Sequence, residues 1–306
     1  MVTENAYAKV NLSLNIVGTR EDGYHLVRMV MQSLNLADVL TFEKKVVVSV
    51  DASEEERIET LLLDKRGTDS DELGTLPLGS DNLIVKAARL LLEKYVWPKH
   101  PELGVKITLE KNIPIAAGMA GGSSDAAATF RGLNNLFELG IMEKDLMEMS
   151  VVLGADIPYC IMGGTALSEG IGEELTRLPS LPECYILIAK PMISISTAEA
   201  YGGYDRIAGY IPRPDVDAQV DAVYAGSIAG IVKEMGNVLE AVTAADHPEV
   251  GQLEEMMMDA GAEGAMMSGS GPTVFGIFKD KEIAAKAAQM IENSGTAEQI
   301  FVAEPV

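Results

Sequence analysis

The sequence predicts an α+β fold organised in two domains, and three observations support this prediction. The chain has 306 residues, and chains of this length usually divide their apolar residues between more than one hydrophobic core. Patterns typical of strands are mixed with patterns typical of helices, without the strict strand–helix–strand repeat of a parallel sheet. A glycine-rich segment at residues 118–122 also separates a predicted strand from a predicted helix.

Five strands are predicted from runs of alternating or β-branched apolar residues. In chain order they cover residues 5–17, 39–50, 104–110, 183–189 and 273–278. Turn residues at Gly18 and at Asp22-Gly23 end the first strand in a hairpin-like turn. Residues 51–72 are rich in Asp and Glu, and we interpret them as a solvated insertion with a short helix at about 55–64.

Helices are predicted where apolar residues recur at helical spacing after a capping residue. In chain order they cover 82–95, a segment from Ser123 or Ser124 to near Gly140, 143–153, a segment that starts at Ser196, 215–235, 248–260 and 281–293. Asp81 is predicted to cap the first of these helices. Ser196 and Glu199 match the capping-box pattern, in which each side chain bonds the backbone of the other residue.

The charge balance excludes two classes of partner. Lys and Arg total 24 residues and Asp and Glu total 46, which gives a net charge of −22. Such an acidic chain repels nucleic acids and anionic membrane surfaces, so we expect neither as a partner. Any phosphate site must then concentrate positive charge locally, which directs attention to Lys9 and Lys111.

Cysteine, histidine and hydropathy patterns favour a soluble cytoplasmic protein. Cys160 and Cys184 lie in apolar stretches, and we interpret them as reduced core residues. The three histidines are scattered without the spacing of a zinc site. No apolar run approaches the roughly 18 residues that span a bilayer, and we recognise no signal peptide before the first motif.

The glycine-rich segment is the strongest functional signal in the sequence. Gly118, Gly121 and Gly122 free the backbone and allow a ligand to approach it closely, and Ser123 and Ser124 follow as candidate N-cap residues of a helix. Unpaired N–H groups and the positive end of the helix dipole then converge on one point, which favours phosphate. The segment lacks both the Gly-Lys-Ser/Thr of a P-loop and the Gly-x-Gly-x-x-Gly of dinucleotide-binding folds.

Several blocks of the sequence resemble the GHMP family of small-molecule kinases. In the family's order, they are Ala8-Lys9-Val10-Asn11-Leu12, Asp22-Gly23-Tyr24-His25, the Pro114–Ala127 segment, Leu153-Gly154-Ala155-Asp156-Ile157-Pro158 and Ser268-Gly269-Ser270-Gly271-Pro272. The resemblance implies domains at residues 1–165 and 166–306. The first would resemble domain 2 of ribosomal protein S5, the second would be ferredoxin-like, and the active site would lie in the cleft between them.

The resemblance also implies the reaction and its small molecules. ATP and Mg²⁺ would be the cofactors, and the substrate would be cytidine diphosphate methylerythritol. This compound would be phosphorylated on its 2-hydroxyl in the non-mevalonate route to isoprenoid precursors. The sequence leaves the oligomeric state open between a monomer and a homodimer.

By this resemblance, ATP binds to the glycine-rich segment and to two residues outside it. The segment residues are Pro114, Ile115, Ala116, Ala117, Gly118, Met119, Ala120, Gly121, Gly122, Ser123 and Ser124. Asn82 and Lys111 match family positions near adenine, and Ser124 is a candidate ligand of magnesium. Many relatives have glycine in place of Ala120, so we expect either a negative φ or local strain at that residue.

Lys9 and Asp156 are the candidate catalytic residues. Lys9 lies between the apolar Ala8 and Val10 of a predicted strand, so its ammonium group should project from the opposite face, on the same side as Asn11. The resemblance makes Asp156 the proton acceptor for the substrate hydroxyl, with Lys9 as the cation that keeps it ionised. From the residues alone, a helix cap is the alternative interpretation of Asp156.

The predicted substrate residues are Asn11, Tyr24, His25, Thr197 and Tyr201. Asn11 would orient the polyol. The resemblance implies that Tyr24 stacks on cytosine, that His25 recognises its polar edge, and that Thr197 and Tyr201 lie beside the cytidyl group. Thr197 and Tyr201 are four residues apart on one predicted helical face, so a capping threonine and a core tyrosine are the alternative interpretation.

Two other functions remain as alternatives. The first is a family kinase for a smaller alcohol, such as homoserine or mevalonate, but a cytosine-sized aromatic clamp at Tyr24-His25 has no purpose on such a substrate. The second is a sensor that binds nucleotide without turnover, but a pure binding protein does not need both Lys9 and Asp156.

Overall fold

The structure is a computed structural model that describes residues 1–47, 53–63, 76 and 78–306. The chain divides into two compact units. The first unit comprises Met1–Tyr7, Ala37–Ile115 and Ala120–Met162, and the second unit comprises Ala8–Leu36, Ala116–Met119 and Gly163–Val306. Two long strands, β1 (Val2–Thr19) and β2 (His25–Val46), contribute residues to both units. The predicted domain bounds, 1–165 and 166–306, stay a prediction.

The first unit is built on three neighbouring strands in the order β3–β4–β2, where β3 covers Ile58–Leu63 and β4 covers Leu103–Glu110. β3 and β4 are parallel, and β4 is antiparallel to β2. The helices of this unit are α1 (Glu54–Arg57), α2 (Leu83–Leu91), α3 (Gly121–Leu136), α4 (Glu143–Ser150) and α5 (Ile157–Met162). A π-helical turn over Leu92–Val96 continues α2.

The core of the first unit lies between this sheet and helices α2 and α3. Phe42 and Ile107 on the sheet are fully buried, as are Ile84 on α2 and Leu133 on α3. Gly132 allows α3 to approach the sheet closely, because a methyl group there would lie 2.3 Å from the ring of Phe42. Phe130, Leu133 and Leu136 recur at helical spacing on α3 and are all buried, which confirms the apolar face predicted for this helix.

The second unit contains an antiparallel sheet of four strands in the order β11–β7–β10–β9. These strands cover Tyr185–Lys190 (β7), Gly264–Met267 (β9), Val274–Phe278 (β10) and Gln299–Ala303 (β11). In the same unit, β5 (Thr165–Glu169) pairs with β2 and with β6 (Glu174–Arg177), and β8 (Gly236–Asn237) pairs with β1. Its helices are α6 (Thr197–Tyr204), α7 (Val216–Tyr224), α8 (Ile228–Lys233), α9 (Glu240–Asp246), α10 (Pro248–Asp259) and α11 (Lys281–Ser294).

Three helix predictions need correction, each for a local reason. The short helix predicted at about 55–64 is present but ends early, because α1 covers only Glu54–Arg57 and residues 58–63 pair with β4 as strand β3. Asn82, rather than Asp81, caps α2, since its side chain accepts the N–H of Ile84 at 2.8 Å. The helix predicted at 215–235 is two helices, because Gly226 adopts a φ of 61° after α7.

Further expectations can be compared with the structure. Ser196 and Glu199 form the predicted capping box at the start of α6. Cys184 is buried in the core, as predicted, and burial raises the pKa of its thiol to about 11, whereas Cys160 is only partly buried. None of the helices in the described part of the chain combines the length and hydropathy needed to cross a bilayer. The predicted strand residues 48–50 and the acidic residues 51–52 and 64–72 lie outside the described residues.

Candidate active site

The glycine-rich segment forms the start of α3, and no side chain among the described residues caps that start. Ala120 occupies the N-cap position, where most helices have an acceptor such as Ser or Asp. The first helical hydrogen bond runs from the N–H of Ser124 to the carbonyl of Ala120, at 2.8 Å. The N–H groups of Gly121, Gly122 and Ser123 come before the helical ladder and point from the positive end of the helix dipole. This arrangement suits an anion.

Ala120 has a φ of 55°. Of the two possibilities expected from the sequence, a negative φ or local strain, the structure therefore has the strained backbone. Ala116, at the start of the same loop, has a φ of 50°. The left-handed region costs a non-glycine residue about 1–2 kcal/mol. The loop therefore keeps the path that glycine would take, at the expense of backbone strain.

Ser123 and Ser124 lie inside the first turn of α3, so the prediction that they cap the helix is wrong. The buried hydroxyl of Ser124 donates to the carbonyl of Tyr7 at 2.6 Å, which ties α3 to β1. Within the described residues, no group of three or more His, Cys, Asp or Glu side chains is arranged to hold a metal ion. The role of Ser124 toward magnesium stays a prediction.

The loop packs against the second glycine segment at Gly118. This residue has a φ of 70°, and a methyl group on it would lie 2.2 Å from the carbonyl oxygen of Ser268. The carbonyl of Gly118 accepts a hydrogen bond from Ser268 Oγ at 3.1 Å and another from Lys9 Nζ at 3.3 Å. Only glycine fits at this position, because its φ is positive and because a side chain would clash with the carbonyl oxygen of Ser268.

Lys9 and Asn11 point to the same side of β1, as the alternation of the strand predicts. Lys9 Nζ donates to Asn11 Oδ1 at 2.6 Å, and the N–H of Lys9 donates to the carbonyl of Met119 at 3.2 Å. Both side chains are buried, with Lys9 4% and Asn11 0% exposed. Lysine is rarely buried unless its charge has polar partners, so this pair marks a specialised polar position beside Gly118 and Met119.

The ammonium group of Lys111 lies between two buried carboxylates. It bonds Asp125 at 3.0 Å and also bonds Asp38. Asp38 accepts, in addition, the backbone N–H groups of Asn112 and Ile113, at 2.5 and 2.8 Å. The network joins the end of β4 to the second turn of α3, and these two elements lie on either side of the glycine-rich segment. Asp38 was not identified from the sequence. The only indication in the sequence was that a single acidic residue stands within an apolar part of β2.

The charges of this network shift one another. Burial raises the pKa of Asp125 to about 8, with the charge of Lys111 opposing the shift and that of Asp38 adding to it. Burial alone would lower the pKa of Lys111, but the attraction of Asp125 and Asp38 outweighs it, so that pKa is raised. Asp125 Oδ1 is buried with no hydrogen-bond partner among the described residues. Burial therefore shifts Asp125 toward its neutral form, while the two carboxylate neighbours favour the charged form of Lys111.

Asp156 immediately precedes α5 in the first unit. Its carbonyl accepts the N–H of Cys160 at 3.0 Å, and the residue is half-buried. This is the backbone position of a helix start, which agrees with the alternative interpretation as a cap. The catalytic role of Asp156 stays a prediction.

A second polar cluster lies in the second unit around His25. The ring of His25 lies 4.9 Å from that of Tyr201, centroid to centroid, at an angle of 37°. Tyr204 presents its ring at 87° from a distance of 6.2 Å. His25 Nε2 lies 2.8 Å from Asp205 Oδ1. The structure thus brings together two of the predicted substrate residues and adds Tyr204 and Asp205, which sequence analysis missed.

Two more of the predicted substrate residues, Tyr24 and Thr197, lie near turns or helix ends of the second unit. Tyr24 stands in the turn before β2, with its side chain 60% exposed and the guanidinium of Arg20 at 6.0 Å from its ring centroid. Thr197 begins α6, and its hydroxyl lies 3.4 Å from that of Ser270 in the second glycine segment. An exposed aromatic ring such as that of Tyr24 offers a face on which a base can stack.

Comparisons with known proteins agree with the motifs. The model of the GHMP kinases N terminal domain matches residues 82–164, and that of the GHMP kinases C terminal matches residues 220–297. A 4-diphosphocytidyl-2-C-methyl-D-erythritol kinase of Lachnospira eligens is 44% identical over 299 residues, which cover 98% of this chain and 96% of that protein.

Two solved structures share the fold. A crystal structure of 4-(cytidine 5'-diphospho)-2C-methyl-D-erythritol kinase matches with a TM-score of 0.76 and 30% identity, and the match covers 99% of both chains. The homoserine kinase from Cytophaga hutchinsonii matches with a TM-score of 0.68 and 20% identity, over 98% of this chain and 92% of that one. At that identity, the second match shows a common fold alone.

Proposed function

The chain belongs to the GHMP kinase family, and we propose that it transfers the γ-phosphoryl group of ATP to the 2-hydroxyl of 4-diphosphocytidyl-2-C-methyl-D-erythritol. A relative that carries the name of this kinase is 44% identical across 98% of the chain, which supports the proposal. The observation that carries the choice of substrate is the packing of His25 on Tyr201. A polar imidazole edge beside an aromatic ring suits a nucleobase, and homoserine and mevalonate have none.

The start of α3 is the proposed phosphate site of ATP. The N–H groups of Gly121, Gly122 and Ser123 would bond the phosphate oxygens, and the preceding residues Pro114–Ala120 would shape the loop around them. Strain at Ala116 and Ala120 supports this assignment, because strained backbone is commonly retained at functional sites.

Asn82 and Lys111 are the proposed neighbours of adenine. The charge of Lys111 is already engaged by Asp38 and Asp125. We therefore assign to Lys111 a contact through its backbone rather than through its ammonium group. Asn82 stands at the start of α2, where its side-chain oxygen already bonds Ile84.

Magnesium would neutralise charge on the phosphate oxygens when it is bound. Mg²⁺ usually keeps several waters and binds through phosphates with only one or two protein ligands. Ser124 is 1% exposed, and its hydroxyl hydrogen is donated to the carbonyl of Tyr7. Ser124 could therefore bind a metal ion only through the lone pairs of its hydroxyl oxygen. We infer that phosphate oxygens and waters together would supply most of the ligands.

Lys9, Asn11 and Asp156 are the proposed catalytic group. Lys9 and Asn11 would bind and orient the polyol, since their hydrogen-bonded pair is anchored to Gly118 in the loop. As the hydroxyl oxygen bonds to the γ-phosphorus, its proton would pass to the carboxylate of Asp156. The bond between the γ-phosphorus and the bridging oxygen of ADP breaks in the same step.

Tyr24, His25, Thr197 and Tyr201 are the proposed contacts of the cytidyl group. The exposed ring of Tyr24 offers a stacking face, and His25 offers hydrogen bonds to the edge of the base. Stacking alone is worth roughly 1–3 kcal/mol per base and does not choose between bases. Selectivity for cytosine would therefore depend on His25.

A coupled assay of ADP release tests the proposed function. The enzyme receives ATP with cytidine diphosphate methylerythritol, homoserine or mevalonate in parallel, and Asp156→Asn protein from the same purification controls for contaminating kinases. We expect turnover of the cytidyl substrate alone. Turnover of homoserine or mevalonate instead would assign another family activity, and nucleotide binding without turnover of any substrate would indicate a sensor.

A further inference from the structure

Asp205 contacts the proposed nucleobase site but has no part in the function proposed above. It follows the last residue of α6, and its Oδ1 lies 2.8 Å from Nε2 of His25. The rings of Tyr201 and Tyr204 pack against the imidazole, and 11% of the side chain of His25 is exposed. The carboxylate of Asp205 is 58% exposed. It therefore meets the imidazole from the solvent side.

This contact fixes which nitrogen of His25 carries the hydrogen. A carboxylate has no hydrogen to donate, so the Nε2 that faces it must be protonated. A neutral imidazole has hydrogen on one nitrogen only, which leaves Nδ1 with a free lone pair. Nδ1 makes no hydrogen bond to any residue that the structure describes, and it is not fully buried. His25 thus presents a hydrogen-bond acceptor to whatever binds beside it.

We propose that Asp205 is a positioning residue that holds His25 in the Nε2-protonated form and thereby makes the site select cytosine over uracil. The proposal rests on the proposed function, which brings a pyrimidine base to His25. The two bases differ at C4 and at N3, and the contact that we assign to Nδ1 is with the C4 group, which is an amino group that donates in cytosine and a carbonyl that accepts in uracil. Nδ1 can accept a hydrogen bond from the amino group of cytosine. With uracil, the lone pair of Nδ1 would face a lone pair of the carbonyl oxygen, and no hydrogen bond could form.

The carboxylate makes the alternative tautomer costly. To accommodate uracil, His25 would have to protonate Nδ1 and turn the lone pair of Nε2 toward the charge of Asp205. That exchange would replace a charge-assisted hydrogen bond with a repulsive contact. Without Asp205, the imidazole can move its hydrogen to Nδ1 and donate to uracil, so the site would accept both bases more evenly.

A comparison of two substrates measures this selectivity. The values of kcat/KM are determined for the cytidine and uridine diphosphates of methylerythritol with the wild type, Asp205→Ala and Asp221→Ala. Asp221 is an exposed acid on α7 in the same unit, so its removal matches the change in net charge. We expect the wild type to prefer the cytidine form by about 10²-fold or more. In Asp205→Ala the cytidine-to-uridine ratio of kcat/KM should be about tenfold lower than in the wild type, chiefly through a change in KM. In Asp221→Ala this ratio should equal that of the wild type.

A second measurement reads the tautomer without turnover. Two-bond ¹H–¹⁵N correlations of the histidine rings are recorded at about pH 8.5, above the usual range of an imidazole. The chain has three histidines, and loss of one signal in His25→Gln identifies the ring of interest. Wild type and Asp221→Ala should show Nε2-protonated His25, whereas Asp205→Ala should show a mixture with the Nδ1-protonated form.

The outcomes separate this proposal from the proposed function. An Asp205→Ala protein that keeps both the tautomer and the base preference would reduce the contact to a surface hydrogen bond and overturn the proposal. A changed tautomer with an unchanged preference would overturn the link to selectivity. If the wild type phosphorylates neither cytidyl nor uridyl substrate, the proposed function fails, while the spectra still report on the contact of Asp205 with His25.

Discussion

Replacing Gly118 by Ala is the perturbation that most directly tests the packing of the two glycine segments. The added methyl carbon would lie 2.2 Å from the carbonyl oxygen of Ser268 and 3.0 Å from the backbone nitrogen of Gly271, whereas ordinary contacts begin at 3.4 Å. All of these atoms belong to backbone, so no side chain can rotate out of the way. The loop itself must move by about 1 Å, the difference between these distances.

The expected cost has two parts, and a second variant measures one of them alone. Gly118 has a φ of 70° and Gly140 has a φ of 65°, but nothing lies within 4 Å of a methyl group placed on Gly140. Gly140→Ala should therefore destabilise the protein by only the left-handed strain, about 1–2 kcal/mol. Gly118→Ala should add an overpacking term of about 1–3 kcal/mol, for a total of about 2–5 kcal/mol.

Thermal unfolding and steady-state kinetics give the comparison. For a chain of this size, 1 kcal/mol corresponds to a shift in Tm of about 2 °C, so Gly118→Ala should unfold several degrees below Gly140→Ala. Its kcat should also fall by about 10²-fold, because a displacement of about 1 Å disturbs the carbonyl that Lys9 and Ser268 share. If Gly118→Ala matches Gly140→Ala in Tm and retains normal kcat, the close approach of the two segments is refuted.

Three further predictions address the proton acceptor, the base clamp and a buried acid pair. Asp156→Asn should lower kcat by about 10²–10⁴-fold with ATP binding retained, as measured by kinetics and nucleotide titration, and a near-normal kcat would leave Asp156 only a helix cap. Tyr24→Ala should raise KM for the cytidyl substrate by about tenfold to a hundredfold with kcat and the KM for ATP nearly unchanged, and a collapse of kcat would contradict its assignment. Burial, with Glu240 beside it, raises the pKa of Glu254 from 4.5 to about 8. The folded protein thus holds a proton that the unfolded chain releases near pH 4.5, and stability falls as the pH rises from there to about 8. Glu254→Gln should remove that loss, so its Tm relative to wild type should increase from about pH 4.5 to about pH 8 and then level off, and a constant difference would show that the pair does not titrate in this range.

The elements that were predictable from the sequence carry their signals locally. The capping box at Ser196, the proline that begins α10 and the alternating residues of β4 each specify an element within a few neighbouring residues. Strands β5, β6, β9 and β11 were not predicted, because they are four or five residues long and depend on pairing with distant strands. The same reason explains β3, whose residues become a strand through parallel pairing with β4.

The candidate site divides in the same way. The glycine-rich segment and the Lys9–Asn11 alternation are visible in the sequence, because both depend on adjacent residues. The carboxylates of Asp38 and Asp205 are not, since their partners Lys111 and His25 lie 73 and 180 residues away along the chain. Such charged pairs can be identified only when the folded structure shows that the two side chains lie close together.

The position of the transferred phosphate tests the central claim most directly. Cytidine diphosphate methylerythritol labelled with ¹³C at C2 is incubated with ATP and the enzyme, and the product is examined by ³¹P and ¹³C spectroscopy. The proposed function predicts a new monophosphate signal that is coupled to the labelled carbon, together with one ADP for each product formed. A phosphate on another hydroxyl, or ADP release without a phosphorylated cytidyl product, would contradict it.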